Sequence, residues 1–566
     1  VSTAAKMIPA AAPEPPLSGE YEANPLLNGK PLYPLELGRT YWEQGYWTTD
    51  TFARFADDTA ARFAENTAVV GTDKAGRRVA LSYQQLADAA AAAGSGFADQ
   101  GISAGDAVVV QLPNIVEYVV VILGLFRIGA VPIFALPAHR RAEITHFIEV
   151  SGACGYITAG KVGGFDYREI AAEVDDRVTV VIADNDSKQW VNIGDIVDVH
   201  NPAPAGSVPA EVHPENLALI QLSGGTTGVP KLIPRSHAAY HYSVRASAEI
   251  CGLDEDSRLL AVLPAAHNFT MSSPGILGVL WAGGTVVLAP NASPRRSFEL
   301  IEAEGVTIAP LVPPMAMAWL RAARTTTSDL SSLQVVQVGG AKFTESAARQ
   351  FIDAFDVRLQ QVFGMAEGLV NYTRDEDPLD IVLTTQGRPI SDADEVRVLA
   401  DDDAQVAAGE VGRLFTRGPY TIHGYLGGVD ADSFTEDGFY GSGDLVRQLP
   451  SGHLVVEGRV KDQINRGGEK FSAEEVENHL IAHPDVSDAV VVGVPDKSLG
   501  ERSCAVVITD ADLSTKDIRA FVRDRGVAAY KVPDIVEVRR EFPLTGVGKV
   551  SRRELRKLVL EAVQQG

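Results

Sequence analysis

Cysteine is scarce. Cys154, Cys251 and Cys504 are the only three in 566 residues, and they are far apart. No CxxC pair exists, and none of the 11 histidines falls in an HExxH pattern. Neither a disulfide framework nor a zinc site is therefore supported. The thiols read as small buried side chains in a reducing cytosol. Positive charge is also in deficit. Fifty Lys and Arg stand against 74 Asp and Glu, a formal net charge of −24. That balance argues against a nucleic-acid face and against an anionic membrane surface, both of which need a basic partner. No clean membrane-length apolar run exists either. "YVVVILGLFRIGAVPIFALPA" (118–138) has the length, but Arg127 in its middle costs roughly 3 kcal/mol on insertion scales. Gly129 and Pro132 divide it into a buried helix and a strand. The N-terminal "VSTAAKMIPAAAPEPPLSGE" lacks the apolar core of a signal peptide and reads as a flexible leader over 1–25. A cytoplasmic protein is the expectation.

What is present is an ordinary globular composition, 45% hydrophobic and 22% charged, on a chain long enough for several domains. "SYQQLADAAAAAGSGFADQGI" reads as a helix capped by Ser82, "DAVVVQLP" as a strand, "IVEYVVVILGLFRIG" as a helix and "AVPIFAL" as a strand. Short, continuously apolar strands recur in "GYITA", "VTVVIA", "LALIQLS", "RLLAVLP", "TVVLAP" and "VTIAPLVP". Such strands between helices indicate parallel or mixed sheets covered on both faces. Around 395–458 the texture changes to "EVRVLADDD", "GRLFTRG" and "GHLVVEGR", a small barrel-like or antiparallel subdomain. After "GRVKDQINRGGEK" the chain restarts as a compact α+β unit. The expected fold is α/β: a large N-terminal core over 26–459 and a small mobile α+β lid over 460–566.

One loop stands apart. Residues 223–237 read "SGGTTGVPKLIPRSH". Glycines that admit backbone N–H groups to an anion, two threonine hydroxyls and a lysine suit a phosphate. It is not a Walker loop. Val229 and Pro230 separate Gly228 from Lys231, Leu232 follows the lysine, and Pro230 and Pro234 argue against an immediate helix. Alone, the loop does not distinguish a phosphate cradle from a glycine-rich turn.

Four further segments decide the matter. "SGGTTGVPK", "QQVFGMAEG" (360–368), "YGSGDL" (440–445), "GRVKDQINRGGEK" (458–470) and "PLTGVGKVSRREL" (543–555) occur in this order. Together they resemble the signature loop and the adenine and magnesium, ribose, hinge and catalytic-lysine motifs of the adenylate-forming superfamily. "KLIPRSH", "AAHNFTMSSPG" and "QQVFGMAEGLVNYTR" bring it nearest to the standalone aryl-acid–AMP ligases of siderophore pathways. Generic acyl-CoA synthetases usually have serine where Gly224 sits.

The resemblance implies a reaction: an aromatic acid plus ATP with Mg²⁺ gives aryl-AMP and pyrophosphate. The aryl group then passes to the phosphopantetheine thiol of a separate aryl carrier protein. It also implies roles. Thr226, Thr227 and Lys231, between Gly225 and Gly228, would hold the outer phosphates. Gly339, Gly340 and Ala341 would line the adenine with Val362, Phe363 and Gly364. Asp444 would accept the ribose hydroxyls, Arg459 would contact ribose or phosphate, and Lys461 would mark the hinge, where many relatives have aspartate. Glu367, which alone would read as a solvated cap at a helix start, would bind Mg²⁺. Lys549, alone an exposed turn lysine, would be the catalytic cation. Lys470, ahead of an expected Ser472-Ala473-Glu474-Glu475 capping box, would face the acyl acceptor in a second arrangement of the two parts. His267, Asn268, Phe269 and Ser273 would form the acid pocket, closed by Gly340, Ala366 and Val370. A serine at 273, where salicylate-activating relatives tend to carry cysteine, favours 2,3-dihydroxybenzoate over salicylate. A benzoate-type aryl-CoA ligase is the other reading, and no basic patch for the nucleotide of coenzyme A is evident. An inactive scaffold would be expected to lose Lys549, Glu367 or Lys231, and all three are present.

Overall fold

The computed structural model describes residues 32–565 except 184–188, 203–207, 224–229, 467–468, 497–498 and 547. Two sheets form the bulk of the molecule. The first has nine strands. Its centre is parallel, running through Thr285–Leu288, Arg258–Ala261, Ile308–Leu311, Val335–Gly339 and Arg358–Met365. The second has seven strands, with Val131–Phe134, Ala107–Gln111, Gly155–Ala159 and Thr179–Ala183 parallel at its centre. These strands are apolar at nearly every position because helices cover both faces.

Val116–Arg127 shows why. Every residue of this helix is buried, and it packs on Val131–Phe134 of one sheet and Thr67–Thr72 of the other. A helix wedged between two sheets has no solvent face, so its sequence is apolar all round. Its end charge is neutralised in place: Arg127 Nη1 donates to Asp57 at 2.6 Å. No helix among the described residues is long and apolar enough to cross a membrane. The preceding helix, Tyr83–Asp99, starts at Ser82 with a reciprocal capping box to Gln85.

The barrel-like segment takes the form of a four-stranded antiparallel sheet, Glu395–Leu399, Val411–Arg417, Tyr440–Gln448 and Leu454–Arg459. The chain then passes through a 3₁₀ turn, Val460–Asp462, into a separate five-stranded sheet that begins at Gln463–Arg466. Helices cover both faces of this last sheet, and two apolar clusters result. One holds Val491, Val507, Ile518 and Val522, the other Val490, Val492, Val506 and Leu555, as period-two alternation along the strands requires. All five tryptophans of the chain, Trp42, Trp47, Trp190, Trp281 and Trp319, precede this unit.

The helix Ala473–Ile481 departs from the expected box. Ser472 caps it through the Glu474 N–H rather than that of Glu475. The Ser472 hydroxyl donates to Glu457 O at 2.6 Å, and the Glu475 carboxylate takes Lys531 Nζ at 2.6 Å. Contact with the large part uses the serine proton, and an ion pair uses the glutamate. The leader over 1–25 lies outside the described residues. Of the cysteines, Cys251 and Cys504 are buried and Cys154 is half-buried, all as free thiols.

Candidate active site

Among the described residues, the segments 267–273 and 339–341 lie at or beyond the carboxyl ends of the parallel strands Arg258–Ala261 and Val335–Gly339, where open α/β sheets place ligands. Gly339 ends its strand and pairs in register with Val362 of the neighbouring strand. A β-carbon at Gly339 would lie 2.9 Å from Val362 O and 3.3 Å from Phe269 Cε1, so only glycine lets these walls close. Gly340 turns with φ +85°, and a β-carbon there would meet Lys549 Cε at 2.6 Å. The lysine of the small unit therefore lies directly over the glycine turn of the large one. Ala341 follows on the surface, beside half-buried Lys342.

Lys549 is carried by a short turn. Thr545 N–H donates to Lys549 O at 2.6 Å and the Thr545 hydroxyl accepts from Lys549 N–H at 3.2 Å. A β-carbon on Gly546 would fall 2.1 Å from Ala138 Cβ, so this turn is pressed against the large part. Burial, reinforced by Arg459 and opposed by Asp444, lowers the Lys549 ammonium to about 8. Asp444 is itself pinned, accepting from Arg459 Nε at 2.8 Å across neighbouring strands. The same pairing raises the guanidinium above its usual range. Lys461 lies in the 3₁₀ turn, held below the usual lysine range by burial, then by Arg459, with a weaker push from Lys231.

The other wall is the segment His267–Ser273. His267 Nδ1 accepts the Phe269 N–H at 3.2 Å and so caps the helix Asn268–Ser272. Burial, with Lys549 adding to it, pushes the imidazole down to about 3. The ring is thus neutral, with its proton on Nε2. Asn268 Oδ1 accepts from the Tyr240 hydroxyl at 2.9 Å and the Ser272 hydroxyl at 3.2 Å, which leaves its amide nitrogen as the group to offer a ligand. Phe269 and Ser273 are buried. Val362, Gly364 and Val370 belong to one hairpin, in which Gly364 pairs with Val370. Phe363 is half-buried within it.

Glu367 sits in the turn of that hairpin rather than at a helix start. The chain reverses at Ala366–Glu367 and pairs back on itself, so no helix forms. Glu367 is buried and accepts from the Tyr425 hydroxyl at 3.0 Å, which in turn meets the Tyr440 hydroxyl at 3.0 Å. Among the described residues no group of three or more His, Cys, Asp or Glu side chains could hold a metal. One buried carboxylate fits instead an ion that arrives on phosphate oxygens and keeps its waters.

At the loop, Lys231 N–H donates to Ser223 Oγ at 2.9 Å and Ser223 N–H donates to Lys231 O at 3.0 Å. The two ends of the loop are thereby tied at its neck. Gly225, Thr226, Thr227 and Gly228 lie outside the described residues. Lys470 pairs with Asn465 in a two-strand ladder, and its side chain is likewise outside them. Strand Leu232–Ser236 follows Lys231 before the helix His237–Ile250 begins, as the prolines require.

Several site residues escape a reading of the sequence. Arg235 Nη1 donates to Ala366 O at 2.6 Å and its guanidinium lies over the Tyr240 ring at 5.2 Å. Tyr240, Tyr425 and Asp430 likewise line the site from segments remote in sequence. Tyr440 opens the quoted "YGSGDL" and could have been noticed there. Arg235 lies in the quoted "KLIPRSH" and could have been noticed likewise, whereas Tyr240, Tyr425 and Asp430 sit in no periodic or spaced pattern.

A lysine of one folding unit thus lies over a glycine turn of another, with the Arg459-paired Asp444 near it. Comparison with known proteins gives the class. The chain belongs to the AMP-binding enzyme family: that model matches residues 56–426, and the model of the family's C-terminal domain matches 475–549. Within the family, the chain is 50% identical to a 2,3-dihydroxybenzoate-AMP ligase of Bacillus subtilis, over 96% of this chain and 99% of the relative. It is 45% identical to the vibriobactin-specific 2,3-dihydroxybenzoate-AMP ligase of Vibrio cholerae, over 93% and 97%. Among solved structures, the apo form of MbtA from Mycobacterium smegmatis superposes with a TM-score of 0.72 at 40% identity, covering 94% of this chain and 99% of that one.

Proposed function

We propose that the chain activates an aromatic carboxylic acid with ATP, forming aryl-AMP and releasing pyrophosphate, and that the acid is 2,3-dihydroxybenzoate. The second step is transfer of the aryl group to the phosphopantetheine thiol of an aryl carrier protein, in siderophore assembly. The observation that carries this reading is Lys549 lying over Gly340, between the His267–Ser273 wall and the Asp444–Arg459 pair.

The chemistry follows from what each side chain can offer. A carboxylate is a poor electrophile until it carries a good leaving group, and making that mixed anhydride is a matter of alignment and charge. In this reading Gly339, Gly340, Ala341 and the hairpin Val362–Gly364 hold the adenine. Asp444, oriented by Arg459, accepts the ribose hydroxyls. Thr226, Thr227 and Lys231 hold the outer phosphates, with Gly225 and Gly228 letting the backbone close in. Glu367 would hold Mg²⁺, which when bound neutralises phosphate charge. The Lys549 ammonium stabilises the negative charge that builds as the carboxylate oxygen closes on the α-phosphorus. The neutral His267 offers Nε2–H, and Asn268 offers its amide N–H to the carboxylate or the neighbouring hydroxyl. Phe269, Val362 and Val370 grip the ring, and the Ser273 hydroxyl meets the 3-hydroxyl. The stretch at 460–462 serves as the joint on which the lid turns, with Lys461 there and Lys470 reaching the acceptor thiol in the other arrangement.

The deciding experiment is ATP–pyrophosphate exchange with 2,3-dihydroxybenzoate, salicylate, 3-hydroxybenzoate, benzoate and a medium-chain fatty acid. Exchange strongest with 2,3-dihydroxybenzoate is expected. Stronger exchange with salicylate would overturn the role of Ser273 while keeping the reaction. No exchange with any aromatic acid would overturn the reading.

A further inference from the structure

The Lys231 side chain has partners of its own. Its ammonium forms an ion pair with the Asp430 carboxylate and lies 4.5 Å from the centre of the Tyr425 ring. That same tyrosine donates its hydroxyl to Glu367 at 3.0 Å. One aromatic side chain thus touches both the lysine expected to take the outer phosphates and the carboxylate expected to take the metal. The lysine backbone is fixed at the loop neck by both hydrogen bonds to Ser223, so only the four-carbon stem has freedom to reorient. Asp430 is held in turn by its conformation. It adopts φ +53°, ψ 43°, ahead of the 3₁₀ turn Ala431–Ser433, a left-handed geometry that Asp and Asn tolerate better than other residues with a side chain.

We propose that Asp430 is a competing counter-ion for Lys231, exchanging with the β- and γ-phosphates of the nucleotide and so weakening ATP binding and speeding loss of pyrophosphate. The inference rests on the reading of the loop as the phosphate cradle. One ammonium cannot hold a carboxylate and a polyphosphate at full strength at once, so whatever Asp430 contributes to the protein alone is subtracted from binding. When pyrophosphate departs, the lysine returns to Asp430 and the Tyr425 face. The pair is half exposed, with side chains 32% and 51% accessible. Its strength therefore lies in the range of surface ion pairs, and removing it should change phosphate affinity by about two- to fivefold.

Asp430→Asn keeps the backbone geometry and removes the charge. The expected result is a KM for ATP and an inhibition constant for pyrophosphate that both fall by the same factor, about two- to fivefold. AMP, which lacks those phosphates, should bind as before. The difference between variant and parent should shrink at high salt, as a surface charge effect must. Lys231→Ala should raise the KM for ATP, and adding Asp430→Asn to it should change nothing further, because the competition then has no object. An unchanged or raised KM for ATP in Asp430→Asn, with Lys231→Ala still impaired, overturns the competition. It would make Asp430 a passive surface partner or an aid to the metal. If Lys231→Ala binds ATP like the parent, both the competition and the phosphate reading of the loop fall together.

Discussion

Lys549 illustrates how a residue's neighbours, rather than its type, set its behaviour. Read in "TGVGKV" it is a turn lysine. In the fold it is surrounded by Gly340, His267, Asp444 and Arg459, and burial lowers it to about 8. In the proposed mechanism the charged form is the one that serves adenylation. As pH rises through about 8 the free enzyme loses that charge, so kcat/KM should decline on the alkaline side with that midpoint. Lys549→Ala should lower exchange by ~10²–10³-fold and erase this limb. The same limb persisting in the residual activity would assign it to another group. The motifs carried Asp444, Glu367 and Lys549 into view because their spacing is local. Tyr240, Tyr425 and Asp430 carry no such signal. Each acts through a partner more than 20 residues away, or through a ring face, and a lone tyrosine or aspartate looks the same wherever it falls.

At the level of elements, the turn Thr545–Lys549 shows how tightly one secondary feature is fitted to another. Gly546 has no room for a side chain against Ala138. Gly546→Val should therefore keep the turn from seating and misplace Lys549 by an ångström or more. A loss of roughly 10²-fold in adenylation is expected from such a shift, with the melting temperature little changed because the residue is exposed. Exchange at the parental rate would show that the turn seats elsewhere during catalysis. The helices and central strands were legible in advance because periodicity and caps are local, as with Ser82 and Gln85. Where tertiary contacts compete, local rules lost. The Ser472 hydroxyl serves Glu457, Glu475 serves Lys531, and Glu367 lies in a hairpin turn because its flanking strands pair.

At the scale of the whole molecule, the last hundred residues have two apolar clusters of their own, separate from those of the large part. Links across the joint include Ser472 Oγ to Glu457 O at 2.6 Å, and the Lys342 ammonium acts electrostatically on the Glu474 carboxyl. A unit with its own core and mostly polar links should unfold in its own transition, ahead of the larger one. Calorimetry should resolve two steps, and a single step with equal calorimetric and van't Hoff enthalpies would refute this independence. The expectation of a large part followed by a small one rested on the chain restarting as an α+β unit after "GRVKDQINRGGEK", but the seat of Lys549 on Gly340 was not legible, because no local pattern encodes how two folded bodies meet. The distribution of tryptophan adds a consequence for optical work. All five indoles lie before the joint, so intrinsic emission excited at the indole band reports one body only. A lid that had already melted would leave that signal almost untouched, and far-ultraviolet dichroism would disagree with fluorescence about when the protein comes apart.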